Sequence, residues 1–105
     1  GRSYYPDGKI KHERHFRNDI KDGEFLTWYR NGKLKHRRTY VNGRKEGEAF
    51  TWYPHGVLFR RKYFKNGVLE GKLTEYNTKG REVRVFVYTN GKRIKGHPEE
   101  RLRRR

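Results

Sequence analysis

A step of 24 residues runs through this chain. Gly23, Gly47 and Gly71 stand 24 apart, as do Gly8, Gly32, Gly56 and Gly80, then Asn18, Asn42, Asn66 and Asn90, then Phe16, Tyr40, Phe64 and Tyr88. Residues 23–46 laid over 47–70 agree at 11 of 24 positions. Self-similarity at a fixed period means stacked copies of one supersecondary unit, and it narrows the possible folds more than any other feature here. The register fades at the ends, as terminal units of arrays do. Asp19 takes the place of Gly43, Gly67 and Gly91, Glu82 that of Ile10, Leu34 and Leu58, and Gly96 comes one residue late.

Each unit reads as two short strands. A Gly-Glu-x-x-x-Trp-Tyr segment alternates aromatic and polar residues, a turn such as Arg30-Asn31-Gly32 follows, and a basic segment, Lys33 to Tyr40, alternates again. Asn-Gly between alternating runs is a hairpin signal, because both residues accept the positive φ of a primed turn. A second turn, Asn42 to Gly47, leads into the next unit. The expected fold is all-β: an elongated, single-layer antiparallel meander of about eight strands, each about six residues long. Four units, about 1–22, 23–46, 47–70 and 71–95, make a repeat domain over 1–96, and 97–105 form a short basic tail. Gly1 falls inside a strand and the chain has no Met, so these residues read as part of a longer product.

Strict alternation sorts the basic strands into columns. One face takes Ile10/Leu34/Leu58, His12/His36/Arg60/Arg84, Arg14/Arg38/Lys62/Phe86 and Phe16/Tyr40/Phe64/Tyr88. The other takes Lys9/Lys33/Val57/Arg81, Lys11/Lys35/Phe59/Val83, Glu13/Arg37/Arg61/Val85 and His15/Thr39/Tyr63/Val87. The last strand, with Val83, Val85 and Val87 on one side and Phe86 and Tyr88 on the other, is apolar on both and calls for cover from beyond the repeat.

Composition explains how so thin a fold holds. Only 30% of the 105 residues are hydrophobic and the net charge is +16, a balance that ordinarily gives disorder. Half of that apolar fraction is aromatic, however, and the period concentrates it in columns. No run approaches the ~18 apolar residues of a membrane span and no apolar leader is present. A soluble chain is expected, intracellular or inside an assembled particle rather than secreted or transmembrane, the compartment being undecided without cysteine.

The unit, glycine to glycine from Gly23 to Gly47 and again from Gly47 to Gly71, resembles the variant class of MORN (membrane occupation and recognition nexus) repeats over about residues 1–96. Its repeat-defining residues are Gly8, Gly23, Trp28, Tyr29, Gly32, Gly43, Gly47, Trp52, Tyr53, Gly56, Gly67, Gly71, Gly80 and Gly91. Asn77-Thr78-Lys79-Gly80 departs from the usual Tyr-x-Asn-Gly, and the strands carry more Arg and Lys than the pattern asks for. Such repeats are common in bacterial proteins, many labelled antitoxin-like, and in large DNA viruses. The resemblance implies a curved sheet used for binding or scaffolding, and no catalysis.

The residues agree with the absence of an enzyme. Ser3 is the only serine and there is no cysteine, which argues against an activated nucleophile. Asp7, Asp19, Asp22, Glu46 and Glu70 fall in turns, where they bond local backbone. His12 and His36 share a column while His15 points to the other face, so no three ligands converge and no metal or cofactor is expected. Trp28, Trp52, Tyr29 and Tyr53 read as the stacking core between hairpins, with a base-stacking platform as the rival.

The basic strand residues Lys9, Lys11, Lys33, Lys35, Arg37, Arg38, Arg60, Arg61 and Lys62 are read together as a polyanion-binding surface. Like charges stacked cross-strand destabilise a sheet unless an outside anion neutralises them. Residues 92–105 add +5, with Arg101, Arg103, Arg104 and Arg105 as further candidates. Pro98 followed by Glu99 and Glu100 suggests a short helix ending in those arginines. The expected function is a non-enzymatic binding or scaffold module whose basic face engages a polyanionic or acidic partner, as a structural component of a larger nucleoprotein or virion-like assembly. The alternatives are direct RNA or DNA binding, an anionic-membrane-surface module, and an antitoxin-like protein-binding module. An acidic protein or nucleic acid is the expected partner, anionic lipid the next, and no small-molecule substrate is implied.

Overall fold

In the computed structural model, which describes residues 1–102, the 24-residue step becomes a ladder of antiparallel strands. The hairpins are β1 (Arg2–Tyr4) with β2 (Ile10–Glu13), β3 (Phe16–Arg17) with β4 (Ile20–Lys21), and β5 (Gly23–Trp28) with β6 (Leu34–Val41). They continue through β7 (Arg44–Lys45), β8 (Gly47–Trp52), β9 (Leu58–Lys65), β10 (Val68–Leu69), β11 (Gly71–Tyr76), β12 (Glu82–Thr89), β13 (Lys92–Arg93) and β14 (Arg101–Leu102). The long strands lie in the order β1-β2-β5-β6-β8-β9-β11-β12, while the two-residue arms β7, β10 and β13 fold back on the ends of β6, β9 and β12. The result is a twelve-stranded sheet, with β3 and β4 as a separate two-stranded ladder, in a slab of 45 × 34 × 13 Å, the all-β meander that the period predicts.

The two turns of each unit differ in kind. The arms are turned by Asn42-Gly43, Asn66-Gly67 and Asn90-Gly91, with both residues at positive φ (48° and 81° at the first pair), as a primed turn demands. Asp19 manages the glycine's place at φ 63°. The turn at Asn31-Gly32 is not of this kind. Only Gly32 has positive φ, at 88°, its N–H donates to the Tyr29 carbonyl at 3.0 Å, and the Asn31 side chain accepts from the Lys33 N–H at 2.9 Å. This is a type I turn closed by a left-handed glycine, and the reason stands in the sequence: Pro6 and Pro54 occupy the first corner, where φ near −65° suits type I and excludes a primed turn.

A second departure moves side chains between faces. Thr27 pairs with His36 but Trp28 pairs with Leu34, leaving Lys35 as a bulge; Lys11, Phe59 and Val83 bulge in the same way. A slip of one residue flips the side chains beyond it to the other face. Leu34 and Leu58 therefore stand opposite Trp28 and Trp52, not on the face of His36 where alternation puts them. The aromatic column keeps its place.

The core is correspondingly thin. Phe25, Tyr40, Ala49, Phe64 and Leu73 are buried along the His36 face, and Phe25 meets Tyr40 at 4.7 Å between ring centroids. At the other end Val85 and Val87 are buried where the chain beyond the repeat returns to β12. Among the described residues no helix forms there. A four-residue turn, closed by the Glu100 N–H on the His97 carbonyl at 2.9 Å, leads into β14, which pairs with Arg84 and Val85. One turn of helix is a costly nucleus, whereas β14 satisfies an open strand edge that is apolar on both sides. Arg103, Arg104 and Arg105, expected to bind anions, lie outside the described residues.

Candidate anion-binding face

Adjacent units are tied at both ends, which fixes the geometry of everything between. At one end the hydroxyls of Tyr5, Tyr29 and Tyr53 donate to the carbonyls of Trp28, Trp52 and Tyr76 at 2.6, 2.5 and 2.8 Å, each reaching into the next unit. At the other end the carboxylates of Asp22, Glu46 and Glu70 accept from the backbone N–H of Asn42, Asn66 and Asn90 at 3.1, 2.6 and 2.8 Å. The repeating Tyr is thus an inter-unit clasp. The Trp28 and Trp52 rings are half-buried at the strand ends.

Between these ties, strand register sets out three rows on the His36 face. The first runs His12, Thr27, His36, Thr51, Arg60, Glu75, Arg84. The second pairs Phe25 with Arg38, Ala49 with Lys62 and Leu73 with Phe86. The third sets Tyr40 against Gly23, Phe64 against Gly47 and Tyr88 against Gly71.

The nine basic strand residues do not form one surface. Arg38, Arg60 and Lys62 lie on the His36 face. Arg37 and Arg61 lie on the other, each neutralised by a glutamate of its own hairpin, Glu24 and Glu48, at 2.7 Å. Lys11 and Lys35 sit at the bulges, their amines 5.6 and 5.4 Å from the Tyr5 and Tyr29 ring centres. Lys9 and Lys33 flank the type I turns, where a side chain at Gly56 would touch the Lys33 amine. Arg101 is paired with Glu82 at 2.9 Å.

Two contributors escape a strand-by-strand reading. Lys21 and Lys45 come from the arms β4 and β7, and their amines lie 4.9 Å from the centres of the Tyr40 and Phe64 rings. Arg38 approaches Phe25 and Lys62 approaches Phe64, at 5.9 and 5.5 Å. The period could have found them, since Lys21 and Lys45 are one unit apart. Tyr40 and Phe64, each 7% exposed, are roofed by these cations.

Four cations of the face hold their charge without internal relief. None of the ion pairs among the described residues involves Lys21, Arg38, Lys45 or Lys62. Burial pushes the Lys62 amine below its usual pKa, and Lys45, Arg60 and Arg38 push it further. Burial likewise lowers His36, with Lys35, Arg38, Lys62 and Arg60 adding to it, and lowers His12 beside Arg14, Lys11 and Arg38. The one carboxylate in the rows is Glu75, which meets Arg60 at 2.8 Å and Arg84 at 3.9 Å. At the centre of the unpaired cations a hollow of about 320 Å³ opens above Ala49, lined by His36, Arg38, Lys45 and Lys62.

Among the described residues no three His, Asp or Glu side chains converge as metal ligands, and no helix is long and apolar enough to cross a membrane. A family model described as MORN repeat variant matches residues 1–18, 21–42 and 45–66. No curated protein and no solved structure gives a significant match.

Proposed function

The chain belongs to the MORN repeat variants, a family of binding and scaffold repeats, and from that premise we propose that it is a non-enzymatic module whose His36 face engages a polyanionic or acidic partner. One observation carries this reading, the unequal neutralisation of the two faces. Arg37 and Arg61 on one side each have a glutamate, whereas Lys21, Arg38, Lys45 and Lys62 on the other have none, and Lys62, its pKa lowered first by burial, is lowered further by Lys45, Arg60 and Arg38. A sheet that pairs Glu24 with Arg37 and Glu48 with Arg61 leaves Lys21, Arg38, Lys45 and Lys62 for an outside anion. Clustered like charge of this kind attracts polyanions with strong salt dependence.

Two double variants separate this from simple net charge. Arg38→Gln with Lys62→Gln and Arg37→Gln with Arg61→Gln lower the charge equally. Titrated by fluorescence anisotropy against a labelled heparin oligosaccharide at low salt, the first pair loses binding and the second keeps it. Equal losses would leave only a non-specific field and overturn the assignment.

A further inference from the structure

The repeat that builds the basic face also breaks at its centre, and the break has the shape of a site. At the third position of the unit, the column that faces Arg38, Lys62 and Phe86, the second unit holds Phe25 and the fourth Leu73; between them stands Ala49. The small side chain of Ala49 lies in the lining of the hollow of about 320 Å³, within the lower range of small-ligand sites. Arg38 and Lys62 flank Ala49 from the strands on either side, two strand spacings or about 9.6 Å apart. Lys45 reaches over from its arm, and the His36 ring is held by the Thr51 hydroxyl at 3.0 Å.

The same sheet shows what such a position takes when it is filled. The column Thr27, Thr51, Glu75 puts a carboxylate one unit beyond Thr51, directly opposite both Arg60 and Arg84, and it pairs with each. There the cations are neutralised from within. At Thr51 the hydroxyl supplies no charge, and the cations around Ala49 are left with none.

From this geometry we infer that the hollow above Ala49 is a subsite for a phosphomonoester dianion, held by Arg38, Lys62 and Lys45 with His36 at its side. Three converging cations call for more than one negative charge, and a phosphate monoester carries nearly two at neutral pH on three acceptor oxygens. Arg38 offers the forked donors that fit phosphate, and the lysines act as point charges. This rests on the reading of the His36 face as an anion-binding surface and places its anchor at one point.

Ala49→Phe tests it while leaving every cation in place. Glycerol 3-phosphate and phosphatidic acid in phosphatidylcholine vesicles present the same monoester from solution and from a lipid surface. Wild-type protein binds at least one of them, the former read by ³¹P line shifts and the latter by vesicle flotation, with phosphatidylcholine alone as blank. Ala49→Phe weakens that binding about tenfold or more, the loss of a charge-assisted contact, while heparin binding at low salt persists. Thr51→Glu, which builds the counterpart of Glu75, gives the same loss and serves if Ala49→Phe does not fold. Binding in solution assigns a soluble monoester, and binding on vesicles alone a headgroup. Absence of wild-type binding to both, or retention in the folded variants, overturns the subsite with the wider face intact; loss of heparin binding only in the arginine pair on the opposite side overturns the face itself.

Discussion

If adjacent units are held by their tyrosine clasps, removing one hydroxyl should loosen the array at a known seam. Tyr29→Phe keeps the ring and deletes only the 2.5 Å bond to the Trp52 carbonyl. The bond is part-buried, so water replaces it incompletely and the cost is about 1 kcal/mol, from a range of about 0.5–1.5 for a net hydrogen bond. For a domain of this size 1 kcal/mol moves the melting temperature by about 4–8 °C. Tyr53→Phe should cost a similar amount at the next seam. In a quasi-one-dimensional array weakened seams also uncouple neighbours, so the double variant should melt over a broader range. Tyr63, 43% exposed and with no hydroxyl bond to another unit among the described residues, supplies the control. Scanning calorimetry of wild type, the two single variants, the double variant and Tyr63→Phe decides it. A shift at Tyr29→Phe no larger than at Tyr63→Phe would refute the clasp.

The unpaired cations Lys21, Arg38, Lys45 and Lys62 set a salt slope. With duplex DNA as a probe polyanion, log affinity against log salt should fall with a slope of about −3 to −4, and each change to Gln should remove about 1, whereas Arg37→Gln should remove none. Acid should destabilise the fold through His36 and His12. Burial and neighbouring cations lower both pKa values, so the unfolded chain takes up protons first as pH falls below about 6.5, and stability drops in that window. Urea titrations at stepped pH should show the drop, and His36→Gln should flatten it. Glu75, 13% exposed, holds Arg60 and Arg84; Glu75→Gln should cost about 1–3 kcal/mol in urea unfolding and strengthen heparin binding by freeing two cations.

Much of the fold is legible in the order of residues, and the exceptions have specific causes. The period alone delivers the sheet, the hairpins, the arm turns at Asn-Gly and the aromatic column Phe16, Tyr40, Phe64, Tyr88, because these depend on spacing and on which residues accept positive φ. The turn at Asn31-Gly32 is misread when the dipeptide signal outweighs Pro6 and Pro54, which occupy the same corner in neighbouring units. The bulge at Lys35 is invisible to alternation, since a bulge breaks the period of two on which the face assignment rests, and so Leu34 changes sides. The tail misleads in a similar way. Pro98-Glu99-Glu100 is a helix-start pattern, yet the Glu100 carboxylate is taken by Arg93 and by the Val87 N–H, and the chain joins the sheet edge instead. Alternation sorts Arg37 and Arg61 from Arg38, Arg60 and Lys62 by face, but not which of them are neutralised, because charge pairing with Glu24 and Glu48 is a matter of register and reach.

What separates structure from function in this chain is which positions of the unit vary. Turn glycines, clasp tyrosines and the Asp22, Glu46, Glu70 column hold one unit to the next by bonds that each unit must repeat, so variation there would open a seam. Positions on the His36 face carry no such obligation: the sequence from unit to unit runs Thr27, Thr51, Glu75 in one column, Phe25, Ala49, Leu73 in the next, and Arg38, Lys62, Phe86 opposite. The changes are not scattered. Toward the C-terminus charge gives way to an internal ion pair and to apolar side chains, and the unneutralised cations and the smallest side chain coincide in the middle of the sheet. A device for folding alone would gain from repeating Glu75 in every unit, since each copy would relieve repulsion between strand cations. That it stands in only one unit leaves the central cations exposed to an outside anion, at a cost in stability that an anion binding the folded state would offset.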